Sequence, residues 1–171
     1  MSQANNIYLI GFMGCGKSYL GKLLAEHLEY SFVDMDAYLE AEEGKTISEI
    51  FKEGGEGVFR KLERDYLTAS GDFEKTVIAT GGGCPCFYDN MEWMDISGQT
   101  IYLKTPTAIL VDRLQQETAH RPLLAGKSKQ ELSIFIDGKL QERAPYYEQA
   151  QIIFDYQTGK EGVEELMEYL K

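Results

Sequence analysis

The sequence predicts an α/β protein built on a parallel sheet covered on both faces, and three observations carry that expectation. Five short apolar or β-branched runs recur along the chain, at 7–10, 31–34, 76–80, 100–104 and 151–155. Helical patterns fill the intervals between them, the alternation expected when each strand returns through a crossover helix. In the first such connection GFMGCGKS, Gly11 to Ser18, reads as a phosphate-binding loop placed between a strand and a helix.

The elements follow in order. The first strand, IYLI, leads through the glycine-rich turn into a helix over about 17–28, where YLGKLLAEHL repeats Leu at helical spacing. SFVD forms the second strand, followed by helices over about 37–43, 46–53 and 56–69. TVIAT is the third strand, with a helix over about 89–95 after it. TIYLK and a helix over about 106–116 come next, then a long helix over about 129–147, the strand QIIFD, and a last helix over about 160–170. One stretch, QQETAHRPLLAGKS at 115–128, fits neither class: it is polar, contains the chain's Arg-Pro step and joins two helices. Long irregular segments inside compact domains are often active-site lids.

A chain of 171 residues is long enough for one well-buried domain and short for two, so a single domain over 1–171 is expected. Its 43% hydrophobic and 26% charged content is globular. The apolar runs are far too short to span a bilayer, so no membrane partner is expected. MSQANN leads directly into a strand-like run rather than a signal peptide, and a cytoplasmic location is the expectation. The net charge of −11 argues against nucleic acid as a partner, because phosphate backbones need a cationic face. An acidic protein that binds an anion must gather its cations in one place. With five arginines in the chain, Arg60, Arg64, Arg113, Arg121 and Arg143, their positions carry information.

Gly11, Gly16, Lys17 and Ser18 match G-x-x-x-x-G-K-[ST] in full. Glycines let backbone N–H groups turn inward around phosphates, and the helix starting near Lys17 adds the positive end of its dipole. Lys17 then reaches the β- and γ-phosphates and Ser18 ligates Mg²⁺. Such loops need an acidic partner for the metal, yet the third strand ends VIATGGG without one. FVDMDAYLE supplies Asp34 and Asp36 at the end of the second strand, where residues i and i+2 point the same way. One carboxylate can hold a magnesium water and the other accept a substrate proton; alternatively Asp36 caps the helix AYLEAEE.

In FRKLE, Arg60 and Glu63 share a helix face and can pair, either as site residues or as a solvated surface pair. The glycines 81–83, directly after a strand, allow backbone to approach a ligand closely, or merely turn the chain. Arg121 reads as a lid cation and Arg143 as a helix cation. Cys15, Cys84 and Cys86 form no even disulfide framework, and the CPC spacing suits neither zinc nor a thioredoxin pair, so small residues filling a tight loop is the reading adopted.

Taken in order, GFMGCGKS, DMD, FRKLE, ATGGG, RPLLAG and RAPYYEQA resemble the shikimate kinase family, motif by motif over nearly the whole chain. The resemblance implies a nucleoside-monophosphate-kinase-like P-loop NTPase fold, with a five-stranded parallel sheet in the order 2-3-1-4-5. It further implies a shikimate-binding region over about 35–65 and a mobile lid over about 115–128. The implied activity is transfer of the γ-phosphoryl of MgATP to the 3-hydroxyl of shikimate, giving shikimate 3-phosphate and ADP on the way to chorismate and the aromatic amino acids.

Carried over, the resemblance assigns Mg²⁺ to Ser18 and, through water, to Asp34. Asp36 becomes the base and a hydroxyl-binding group. Arg60 and Arg143 clamp the carboxylate, Gly82 and Gly83 present backbone to the ring, and Glu63 orients Arg60. Gly14, Cys15, Gly16, Lys17, Ser18 and Tyr19 cradle the nucleotide, Arg113 stands near the adenine, and Arg121 comes from the lid onto the transferring group. A monomer is what the family suggests. Tyr19 and Cys15 depart from commoner small residues, and the proline that usually opens the last helix is replaced by Thr158-Gly159-Lys160. A related P-loop kinase acting on gluconate or a nucleotide is the alternative enzyme; a non-catalytic nucleotide- or metabolite-sensing module is the alternative outside enzymes.

Overall fold

The computed structural model describes residues 5–117, 124–157 and 161–170. The strands β1 (Ile7–Ile10), β2 (Ser31–Asp34), β3 (Thr76–Ala79), β4 (Gln99–Lys104) and β5 (Ile152–Asp155) form one sheet in the order β2-β3-β1-β4-β5. Every ladder is parallel, with Leu9 opposite Ala79 on one side of β1 and Ile101 on the other. The crossovers contain α1 (Lys17–Leu28), α2 (Met35–Glu43), α3 (Ile47–Ala69), α4 (Asn90–Ser97), α5 (Thr107–Gln116) and α6 (Lys129–Tyr147), and α7 (Glu161–Tyr169) follows β5.

Alternation along β1 explains why its sequence is apolar throughout. Ile7 and Leu9 enter a core layer with Leu20, Leu24, Val77 and Ile101, while Tyr8 and Ile10 enter a second layer with Leu67, Ile78 and Met94. A strand buried on both faces has no solvent side to mark with polar residues. A third, smaller cluster of Leu39, Ile50 and Phe59 holds α2 against α3, away from the sheet.

Two local expectations are corrected. The helices expected over 46–53 and 56–69 form the single span α3, opened by a Thr46–Glu49 capping box and interrupted at Gly55, whose φ of 79° and ψ of −178° are not helical. The helix after β2 starts at Met35, because Asp34 rather than Asp36 caps it: the Asp34 Oδ1 accepts from the Ala37 amide at 3.2 Å. Asp34 and Asp36 therefore do not share a strand face; one ends the strand and the other lies in the first helical turn. At the end of the stretch 115–128, Leu124 is fully buried in the core and Ser128 caps α6. Arg121 lies outside the described residues.

One buried polar side chain ties the entry of β1 to that of β3. Asn6 donates to the Phe73 carbonyl at 2.7 Å and accepts from the Thr76 amide at 3.1 Å. Asn6→Ala leaves that amide buried without a partner, so unfolding in urea should show a loss of about 1–3 kcal/mol. A change below a few tenths would mean that water replaces the side chain.

Candidate active site

Parallel strands bring the turns after β1, β2 and β3 to the same edge of the sheet. After β1, Gly14 and Gly16 adopt φ of 79° and 100°, conformations closed to most residues with a Cβ. A Cβ on Gly16 would also lie 2.9 Å from the Tyr156 ring. Gly16 precedes α1 with no side-chain cap, so the first amides of α1 are presented to the loop, a geometry suited to an anion. The Lys17 ammonium lies across the same loop, donating to the carbonyls of Gly11 at 2.7 Å and Phe12 at 3.1 Å, beside the buried Cys15.

The Ser18 hydroxyl donates to Asp34 Oδ2 at 2.7 Å. A hydroxyl and a carboxylate held together are hard oxygen donors of the kind that Mg²⁺ takes, so this pair fits the metal. Asp36 lies beside them, one helical step further on. Burial raises its carboxyl above the usual range, and Asp34 adds to that, against the opposing charge of Lys17.

The turn after β3 gathers the remaining charges. A Cβ on Gly81 would lie 2.8 Å from Glu63 Oε2 and 2.9 Å from Asp36 Oδ1; one on Gly83 would lie 2.6 Å from Arg60 Nη2. Gly82 sits between them, and a Cβ there would be 3.5 Å from Arg143 Nη1. At Gly82 the Met13 backbone nitrogen would be closer still, at 3.2 Å, so the triple glycine lets these groups approach closely, beyond any need for a turn. Arg60 donates to Glu63 Oε1 at 2.8 Å and lies over the Phe87 ring at 4.1 Å. With side-chain exposures of 12% and 6%, this is a buried pair and not the solvated one that helix spacing alone allows. Among the described residues, Glu63 Oε2 and Arg143 Nη1 are buried with no hydrogen-bond partner.

A cavity of about 530 Å³ runs along this edge, lined by the loop, Asp34, Asp36, Thr80, Gly82 and, at its far end, Tyr19, Arg113 and Tyr156. Arg113 donates to the carbonyls of Gly14, at 2.9 Å, and Gln157, which fixes its guanidinium against the loop. Tyr156, Phe87 and Phe12, which lies 5.3 Å beneath Arg143, had no signal in the sequence to separate them from core aromatics. The cavity does not include Arg60, Glu63 or Arg143, which gather around Gly82 and Gly83 next to it.

A phosphate loop at the carboxyl end of β1 and carboxylates at the end of β2, with two arginines around a glycine turn, define a P-loop kinase for a small anionic acceptor. The family model described as shikimate kinase matches residues 13–171, and the chain belongs to the shikimate kinase family. It is 48% identical over 149 residues to a curated shikimate kinase of Bacteroides thetaiotaomicron, covering 87% of this chain and 85% of that one. The crystal structure of shikimate kinase from the same organism superposes with a TM-score of 0.93 at 44% identity, covering 97% of this chain and 98% of the other. A shikimate kinase from Acinetobacter baumannii, solved in complex with shikimate, gives 0.87 at 33% identity and covers 97% and 92%. A gluconokinase from Sinorhizobium meliloti, at 15% identity and a TM-score of 0.54, shares the fold alone.

Glu63 makes the site's electrostatics testable. Burial pushes its carboxyl from 4.5 up to about 7, although Arg60 opposes the shift. The folded chain therefore retains a proton that the unfolded chain releases between those values. Its contribution is complete below pH 4.5 and disappears as pH rises through about 7. Glu63→Gln cannot ionise, so the fall in stability between pH 5 and 7.5 should be shallower in the variant, read from urea unfolding at both values. An equal fall in both proteins would assign the pH dependence to other groups.

Proposed function

We propose that the protein transfers the γ-phosphoryl group of ATP to the 3-hydroxyl of shikimate, with ADP as the second product. The observation that carries this reading is the convergence of Arg60 and Arg143 on consecutive glycines, Gly83 and Gly82, next to Asp36. Two guanidinium groups suit one planar carboxylate, and an acceptor bearing a carboxylate and several hydroxyls meets arginines at one end and an aspartate at the other. The buried Arg143 Nη1 and Glu63 Oε2 offer a donor and an acceptor to that ligand.

Phosphoryl transfer asks the protein for position and charge rather than covalent chemistry. Lys17 and the amides at the start of α1 hold the β- and γ-phosphates. Ser18 and, through water, Asp34 would hold Mg²⁺, which when bound would neutralise charge on the phosphate oxygens. Asp36 binds the acceptor hydroxyl and takes its proton, and its raised affinity for protons favours that step. Arg113 and Tyr19 border the nucleotide end of the cavity, and Arg121 brings a lid cation to the transferring group.

ADP release coupled to a dehydrogenase assay should require shikimate and ignore gluconate; release with gluconate, or none with either, would overturn the reading. Asp36→Asn should lower turnover by about 10²–10⁴-fold in a folded protein, and near-normal turnover would remove Asp36 as the base. Arg60→Ala should weaken shikimate binding in calorimetry and leave MgATP binding intact, because the lost contact belongs to the acceptor alone. Equal weakening of both ligands would assign Arg60 a structural role.

A further inference from the structure

The turn that separates the two arginines is itself held at two carbonyls. The Gly82 carbonyl accepts from the Tyr147 hydroxyl at 2.5 Å. The Cys84 carbonyl accepts from Asn90 Nδ2 at 2.8 Å, and the Oδ1 of the same fully buried Asn90 accepts from Arg64 Nη1 at 2.9 Å. Arg64 is fixed in turn by Asp89 at 2.7 Å.

One anchor is on a helix that carries an arginine and the other is reached from one: Tyr147 belongs to α6, and Asn90, at the start of α4, is held by Arg64 of α3, at the same offset. Arg64 lies four residues after Arg60 on α3, and Tyr147 four residues after Arg143 on α6. Residues four apart on a helix lie on one face, a turn apart. Thus α6 sends Arg143 and, one turn later, Tyr147 to the loop 81–86, while α3 sends Arg60 and, one turn later, Arg64, which reaches the loop through Asn90. Tyr147 is fully buried, and burial pushes its phenol up, so the hydroxyl keeps its proton and remains a donor.

From this arrangement we infer that Tyr147 and the Arg64–Asn90 pair are positioning residues, which lock the loop 81–86 to α6 and α3 and so set the spacing of the Arg143 and Arg60 guanidinium groups for one carboxylate. The inference rests on the reading of those two arginines as the carboxylate clamp. Neither anchor reaches the nucleotide end of the cavity, so loosening either should be felt at the acceptor and not at ATP.

Tyr147→Phe deletes one hydroxyl and keeps the ring against Tyr102, 5.0 Å away between centroids. Its KM for shikimate should rise about tenfold, the order expected for one lost buried hydrogen bond, while the KM for MgATP stays within twofold. Arg64→Ala should do the same, and Arg64→Lys, which retains a cation for Asp89 or Asn90, should recover part of the loss. Arg60→Ala serves as the reference. If it raises the KM for shikimate while Tyr147→Phe and Arg64→Ala lower only the melting temperature, the anchors are structural and this inference is overturned with the clamp intact. If Arg60→Ala leaves that KM unchanged, the clamp itself is wrong and the inference falls with it.

Discussion

β1 pairs with β3 on one side and β4 on the other, both parallel, and this ladder governs where everything else can be. Because each strand points the same way, each connection must cross back over a face of the sheet, and the turns that follow the strands collect along one edge. The phosphate loop, the Asp34–Asp36 pair and the glycine turn are consecutive occupants of that edge, on β1, β2 and β3. Their mutual distance is set by strand spacing, which is about 4.8 Å between neighbours, before any side chain chooses a rotamer. Reversing one strand would scatter the three groups to opposite ends of the molecule.

Within that frame the protein solves an electrostatic problem. Its net charge is −11, yet it gathers Lys17, Arg60, Arg113 and Arg143 around one edge. Carboxylates are interleaved with them: Asp34 accepts from Ser18, and Glu63 accepts from Arg60 in a buried pair. Such a pair gains little net stability, since desolvation offsets much of the attraction. What it fixes is orientation, because Arg60 is also stacked on Phe87 and closed in by Gly83. The cost appears in Glu63, whose carboxyl is driven toward its neutral form.

Motifs that depend on local backbone were legible in the sequence. The phosphate loop and the strand order implied by the family resemblance agree with the structure, since the first rests on contacts within a few residues and the second on the complete motif series. Asp34 and Asp36 were placed together for an incomplete reason: strand alternation was expected to align them, whereas the helix begins one residue after Asp34 and Asp36 arrives from its first turn. Arg60 and Glu63 were recognised as a pair, but i,i+3 spacing is identical for a surface pair and a buried one, and only packing against Phe87 and the glycines separates the two. Tyr147 and Asn90 had no signal, because their partners at Gly82 and Cys84 are created by the fold, and a buried tyrosine in RAPYYEQA reads as core.

The break at Gly55 divides α3 into two hydrogen-bonded units of unequal anchorage. The second half carries Arg60, Glu63 and Arg64, and is fastened to the sheet layer through Leu67 and to the glycine turn through Asn90. The first half packs through Ile50 on Leu39 of α2 and on Phe59 beyond the break, while α2 itself reaches the sheet layer through Met35. A helical ladder interrupted at one residue transmits little cooperativity across the gap, and a cluster of that size protects few amides. Residues 47–54, of which Ile50 alone is buried, thus sit apart from the stretch that carries Arg60 and form the part of α3 whose amides should exchange first.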